Sequence, residues 1–213
     1  MHFLFLLQDR LAEIGVQTLQ GTWGLGISVA KSLEAFEDAA LQGSPDLGIL
    51  DDSGSHPAVI GRLRNHFPGL PLALWITSLR TEWAVHAHNS GVLSMVYRSA
   101  PLADVVGIFR DAVKNSRPTY DRELGQRILG AKVVKIGARQ ALFLKLLART
   151  RDTDELAKLR GISPDTARSH FTQLFEKCGV TDRANLALLV YRNFGEWPPV
   201  EWNPSILVLD RAA

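Results

Sequence analysis

Two sets of residues in this chain have the types and the spacing to do chemistry. The first set follows a series of short apolar runs: Gln8 and Asp9 after HFLFLL, Asp51 and Asp52 after DLGIL, Thr77 and Ser78 after PLALWI, and Arg98 after VLSMVY. When such runs are strands of an open parallel sheet, their carboxyl ends form one crevice, and chemistry collects there. The second set lies in SPDTARSHFTQLFEKC, residues 163–178. There Ala167, Phe171, Leu174, Phe175 and Cys178 fall at helical spacing and form a stripe to be buried, while Arg168, Ser169, Thr172 and Glu176 fall on other faces. A helix with a polar face, set behind a tight glycine turn and a short helix, makes a helix-turn-helix unit, and such a helix fits the ~12 Å major groove of B-DNA. Other chemistries are poorly served. The single cysteine, Cys178, makes neither an intramolecular disulfide nor a Cys-rich zinc site. His86 and His88, two apart on an expected helix, point to different sides and make a poor metal pair. The sequence contains no phosphate-cradling glycine loop, no nucleophile elbow and no internal repeat.

The elements that must position these residues are legible as hydrophobic periodicity. Strand-length apolar runs occur at 2–7, 25–30, 46–50, 71–76 and 92–97, each followed by a helix-compatible segment, at 10–20, 32–42, 57–66, 80–89 and 101–114. The last begins at Pro101 and carries Leu102, Val105, Val106, Ile108 and Phe109 at helical spacing. Five such units in order imply a five-stranded parallel sheet with helices on both sides, the doubly wound α/β class. The second half reads as four short helices and no strands. The first runs from Ala138 to about Ala148. The second starts near Thr153, capped by Asp152 or Thr153 with Asp154 and Glu155 in its first turn, and ends at Gly161. Ser163 caps the third and Pro164 takes its first position; it runs to about Lys177. A fourth, from Asp182 to about Phe194, offers Leu186, Ala187, Leu189 and Val190 for packing.

Composition places the chain among soluble globular proteins. Of its 213 residues 46% are hydrophobic and 22% charged, which excludes disordered and collagen-like chains. No apolar run reaches the ~18 residues of a membrane span. The opening MHFLFLLQDR lacks a basic start and a cleavage site, so a cytoplasmic protein is expected, with no membrane partner. Charge is unevenly placed. Residues 1–130 hold 11 Lys+Arg and 13 Asp+Glu, whereas residues 132–192 hold 12 and 6, which points to a polyanionic partner for the second half.

With the SPDLGILD run at 44–51, the polar residues of residues 1–115 resemble the receiver domain of bacterial response regulators. The resemblance implies strand order 2-1-3-4-5, a phosphoacceptor at Asp51, switch residues at Thr77 and Arg98, and Mg²⁺ held by Asp9 and Asp51. Several positions depart from the family pattern. Gln8 replaces one of two acidic residues, Arg98 replaces a lysine, Met95 stands at the aromatic switch position, and Ser55 stands where proline is expected, with Pro57 two residues later. Mg²⁺ prefers carboxylate and water oxygens, so Gln8 weakens that site. Arg98 is a planar fork and not a point charge, and is able instead to pair permanently with Asp51.

The stretch RQALFLKLLARTRDTDELAKLRGISPDTARSHFTQLFEKCGVTDRANLALL is similar to the C-terminal DNA-binding domain of the LuxR/NarL/FixJ class. The motif ELA-x-x-x-GIS-x-x-TAR-x-H, then LFEK-x-GV-x-x-RA-x-L, keeps that family's order and spacing. Thr150 and Thr153 replace a usual Gly and Asn, and Arg160 stands at a usual leucine, with Leu159 beside it to supply the apolar contact. The resemblance makes the third helix a recognition helix. Arg168 takes the base-contacting position, with Ser169 and Thr172 beside it on the groove side, and Thr166, His170, Lys177 and Arg183 near phosphates. His170 also borders the apolar stripe. Arginine reads guanine bidentately, whereas phosphate contacts position without reading sequence.

The expected organisation is therefore a receiver-like domain at 1–115, a linker at 116–134, an all-α four-helix DNA-binding domain at 135–195 and a tail at 196–213. The apolar ILVL run of that tail suggests docking on a groove or a partner subunit. The expected function is that of a response regulator, not an enzyme: a transcription regulator that binds double-stranded operator DNA as a homodimer, with a sensor histidine kinase as donor. The alternative is a phosphorylation-independent receiver-like domain that acts through protein contacts.

Overall fold

The computed structural model describes residues 1–147, 150, 152–194 and 205–209. The chain divides into two compact units, Met1–Gly130 and Ala131–Ala213.

The first unit is built on a parallel sheet. Its strands are β1 (His2–Leu6), β2 (Gly26–Ala30), β3 (Leu47–Leu50), β4 (Leu72–Ile76), β5 (Ser94–Tyr97) and β6 (Thr119–Tyr120), in the order β2-β1-β3-β4-β5-β6. Helices α1 (Arg10–Trp23), α2 (Leu33–Gly43), α3 (Pro57–His66), α4 (Thr81–Asn89) and α5 (Leu102–Asn115) link the first five strands and follow the fifth. Because successive strand residues point to opposite faces, each strand feeds two cores. Phe3, Phe5, Ile49, Ala73, Trp75 and Val96 face α1 and α5, where Val16, Val105 and Phe109 are buried. Leu4, Leu6, Leu50, Leu72, Leu74 and Met95 face α2, α3 and α4 around Phe36, Ile60 and Leu63. A strand buried on both faces reads as a continuous apolar run, which is why β1, β3, β4 and β5 were visible in the sequence; β2, at the sheet edge, is only half-buried.

The sheet has six strands and not the five expected. The sixth, together with α6 (Arg122–Gly130), comes from the segment read as a linker. Thr119 and Tyr120 pair with Ser94 and Met95, Leu124 is fully buried in the α2–α4 core, and the Tyr120 hydroxyl lies 2.7 Å from His88 Nδ1 and donates to the Val92 carbonyl at 3.1 Å. A two-residue strand carries too short a pattern to stand out in sequence. The first unit accordingly extends to Gly130 and does not stop at residue 115.

The second unit holds α7 (Ala138–Leu147), α8 (Thr153–Arg160), α9 (Pro164–Cys178) and α10 (Arg183–Phe194), and it is not all-α. β7 (Lys132–Lys135) and β8 (Ile206–Leu209) form an antiparallel pair, with Val133 opposite Val208. β8 lies in the stretch read as a tail; Leu207, Val208 and Leu209 are buried, and Leu207 and Leu209 belong to this unit's own core. The completely buried Asn193 side chain fixes it. Asn193 Nδ2 donates to the carbonyls of Leu189 and Val208 at 2.9 and 3.0 Å, and Val208 N–H donates to Asn193 Oδ1 at 2.7 Å. Residues 196–204 and 210–213 of the expected tail lie outside the described residues. No helix among the described residues is long and apolar enough to cross a membrane.

Candidate functional site

At the carboxyl end of the first unit's sheet the structure brings together Asp9, Asp51, Asp52, Thr77 and Arg98. Asp51 directly follows β3 and is 3% exposed. Its Oδ2 accepts the Gln8 N–H at 2.9 Å, and its Oδ1 accepts the N–H groups of Ser53 at 2.9 Å and Gly54 at 3.4 Å as well as the Ser53 hydroxyl. These donors offset the cost of burying a carboxylate. The turn they form is tight. A Cβ on Gly54 would sit 2.9 Å from Leu50 Cβ and 3.1 Å from Leu6 Cδ2, so only glycine fits without displacement. Asp52 turns the other way and caps the start of the loop after β4. It accepts the Thr77 N–H at 2.9 Å, the Thr77 hydroxyl at 3.0 Å and the Ser78 N–H at 3.3 Å. Thr77 therefore serves Asp52 and not Asp51. The adjacent aspartates are the only sequence signal for that division.

Arg98 sits among all three carboxylates. Its guanidinium nitrogens lie 3.4 Å from Asp9 Oδ2, 3.6 Å from Asp51 Oδ2 and 3.8 Å from Asp52 Oδ2, and the group lies 5.2 Å from the centre of the Trp75 ring. The side chain is 18% exposed. The oxygens that would face a divalent cation thus already face a guanidinium. Mg²⁺ requires near-octahedral oxygen ligands at about 2.0–2.1 Å, and Gln8 turns a backbone N–H to Asp51. Among the described residues no three His, Cys, Asp or Glu side chains gather as a metal-holding group. The Mg²⁺ expected at Asp9 and Asp51 does not fit this arrangement.

In the second unit the local sequence fixes the ends of α8 and α9. Asp152 caps α8 by accepting the Asp154 N–H at 2.8 Å. Gly161, with φ of 65°, closes it in the left-handed conformation that glycine adopts without steric cost. Ser163 then caps α9, accepting the Thr166 N–H at 3.1 Å, with Pro164 in the first turn. Ala167, Phe171, Leu174 and Cys178 are buried, and burial pushes the Cys178 thiol's pKa up. Thr150 joins a polar network: it bonds Glu155 and accepts the Asp152 N–H at 3.0 Å. At the other departure the expectation fails. Leu159 is 52% exposed, and the half-buried Arg160 takes the inward position with its Nε buried and without a hydrogen-bond partner.

The opposite side of α9 is open. Thr166, Arg168, Ser169, Thr172 and Lys177 are exposed. Arg168 donates to Asp165 at 2.6 Å and lies 3.4 Å from Asp154, and Thr172 Oγ1 donates to the Arg168 carbonyl at 3.1 Å. Lys177 reaches Gln140 Oε1 at 3.0 Å. Two of the expected phosphate contacts are occupied within the protein. The half-buried His170 ring packs on Phe143 at 4.7 Å between centroids. The Arg183 guanidinium lies 4.5 Å over the Phe171 ring and donates to Thr153 Oγ1 at 3.0 Å and the Thr150 carbonyl at 3.1 Å; burial there lowers its pKa.

No known family profile and no curated protein sequence matches this chain. Solved structures do. The chain is similar to RcsB from Salmonella enterica serovar Typhimurium bound to the promoter P1flhDC in the presence of phosphomimetic BeF3−, at 15% identity over 92% of this chain and 99% of that one, with a TM-score of 0.60. The same protein bound to the promoter rprA matches at 16% identity over 92% and 100%, with a TM-score of 0.58. A structure of two RcsB dimers bound to two parallel DNAs matches at 13% identity over 90% and 98%, with a TM-score of 0.57. At these identities the likeness establishes the fold: a parallel α/β unit followed by a helical one.

Proposed function

We propose that this chain is a DNA-binding transcription regulator of the response-regulator type, which grips operator DNA with the exposed face of α9. The observation that carries the reading is the division of that helix. One side is packed into the core, and the other presents Thr166, Arg168, Ser169 and Thr172 to solvent at the end that enters a major groove. The basic surplus of residues 132–192 and the DNA complexes among the structural neighbours support it. Lys177 contacts a phosphate, whereas His170 and Arg183 brace the motif from inside. The protein acts as a homodimer on paired half-sites, with Leu188 and Tyr191, 49% and 53% exposed on α10, as its contact face. The test is selection of bound duplexes from genomic fragments, followed by footprinting. Arg168→Ala is expected to abolish sequence-specific protection with the fold intact, and affinity is expected to fall steeply with salt as condensed counterions are released. A variant that protects the same site with unchanged affinity overturns the assignment.

The geometry of Arg98 favours a second reading for the first unit. With a guanidinium among the carboxylates, this unit works without phosphoryl transfer to Asp51 and acts through protein contacts. Incubation with a small phosphodonor and Mg²⁺ is expected to leave the intact mass unchanged. An added phosphoryl group that disappears in Asp51→Asn would restore Asp51 as phosphoacceptor, Asp9 as its metal partner and a sensor kinase as donor.

A further inference from the structure

The partners of Arg168 carry a consequence for which bases this protein selects. We infer that Asp165 is a specificity-determining residue that reads the exocyclic amino group of a cytosine beside the guanine read by Arg168; this rests on the DNA-binding reading above. Asp165 stands in the first turn of α9, the turn that leads into a major groove. Its side chain is 91% exposed, and it lies on the same helix edge as Arg168, which donates to it at 2.6 Å. Asp154, on α8, approaches the same guanidinium at 3.4 Å. The leading edge of this helix therefore presents one donor fork held between two carboxylates.

The major groove makes that combination selective. Its floor is lined mostly by acceptors: guanine N7 and O6, adenine N7 and thymine O4. A carboxylate brought against any of these loses its water and gains no partner, which is costly. Cytosine alone presents an amino group with no acceptor on the same base edge. A guanine for Arg168 with a cytosine for Asp165 satisfies both side chains. Elsewhere, the two carboxylates repel the phosphates and weaken non-specific binding, so the discrimination works by penalty as well as by contact. An acidic residue in a first helical turn also favours the helix itself through the aligned peptide dipoles. The test must separate that contribution from base reading.

Duplexes randomised over the selected site are bound by the full-length chain and by Asp165→Asn, Asp165→Ala, Arg168→Ala and Glu176→Gln, with thermal melting recorded for each. The unaltered chain is expected to prefer cytosine at one position next to the guanine whose selection Arg168→Ala removes, by about tenfold over thymine. Asp165→Asn is expected to move that one preference to adenine, because an amide matches adenine N6 and N7. Asp165→Ala is expected to flatten it. Glu176→Gln makes the same charge change farther along the helix and is expected to raise affinity for all duplexes without changing base preference. If Asp165→Asn keeps cytosine, Asp165 serves only the helix start and the inference is overturned while DNA binding stands. A preferred site without cytosine beside that guanine overturns the inference in the same way. A chain that selects no duplex overturns the DNA-binding reading and this inference with it. Asp165→Asn keeps the side chain's shape and its capacity as an acceptor, so it carries the test even if Asp165→Ala melts early.

Discussion

Two arginines in this protein face the same chemistry in different settings. Arg98 lies among three carboxylates at the end of a sheet, 18% exposed, with Trp75 beneath it. Arg168 lies between two carboxylates on a helix surface, 58% exposed. In the first setting Asp9 and Asp52 are 50% and 40% exposed but Asp51 is only 4% exposed, so it is the Arg98–Asp51 attraction that is weakly screened, and removing Arg98 strands Asp51. In the second, water and salt compete for every contact, and the pairs contribute at most about 1 kcal/mol. The Arg98–Asp51 pair is therefore a fixed part of the fold, and the pairs of Arg168 are exchangeable. An exchangeable guanidinium suits the guanine reading proposed for Arg168, and one held by a buried carboxylate suits the phosphorylation-independent role proposed for the first unit.

The largest effect concerns the platform beneath Arg168. Leu207→Ala is expected to cost the second unit about 2–4 kcal/mol, because Leu207 of β8 is fully buried in its core. Thermal or urea unfolding measures this, and an unchanged midpoint would show that β8 is not part of that core. Next in size is the contrast between the two arginines themselves. Arg98→Ala is expected to lower stability by about 2–3 kcal/mol, since Asp51 stays buried without its counter-charge. Arg168→Ala is expected to stay within about 0.5 kcal/mol. Equal losses in the two variants would erase the distinction drawn between them. Arg183 lies between these extremes, half-buried over Phe171 with two hydrogen bonds. Arg183→Lys is expected to cost about 1–2 kcal/mol, because an ammonium keeps the charge but not the planar fork. Weakened DNA binding at unchanged stability would instead return Arg183 to the phosphate backbone.

The smallest effect is a titration. Burial pushes the Tyr120 phenol up from 10.0 to about 12. Its neutral form is thus favoured in the folded chain, so the stability it contributes is complete below pH 10 and is lost as pH rises toward 12. Ultraviolet titration of the native protein against Tyr120→Phe is expected to show this phenol ionising last, near pH 12, where unfolding is also driven. Ionisation near pH 10 without unfolding would mean that β6 leaves Tyr120 in water.

The sequence by itself determined the local elements. Strands buried on both faces must be apolar throughout, so β1, β3, β4 and β5 stood out. The helix starts at Asp152 and Ser163 and the stop at Gly161 were legible because capping is satisfied within a few residues. The same locality made the open face of α9 visible, and with it Arg168. What depends on distant partners was not legible. β6 and β8 are short strands whose pairing is decided by Met95 and Val133, far away in the chain, and Asn193 shows its purpose only when Val208 lies beside it. Sequence placed Asp9, Asp51, Asp52 and Arg98 at the ends of strands. Only the tertiary structure decided that the guanidinium stands among all three carboxylates and that Thr77 turns to Asp52. It likewise decided that Arg183 turns inward and that Asp154 of α8 comes within 3.4 Å of Arg168. Caps and stripes depend on neighbours in the chain. Charge pairing between elements depends on neighbours in space, and those exist only once the sheet and the bundle have formed.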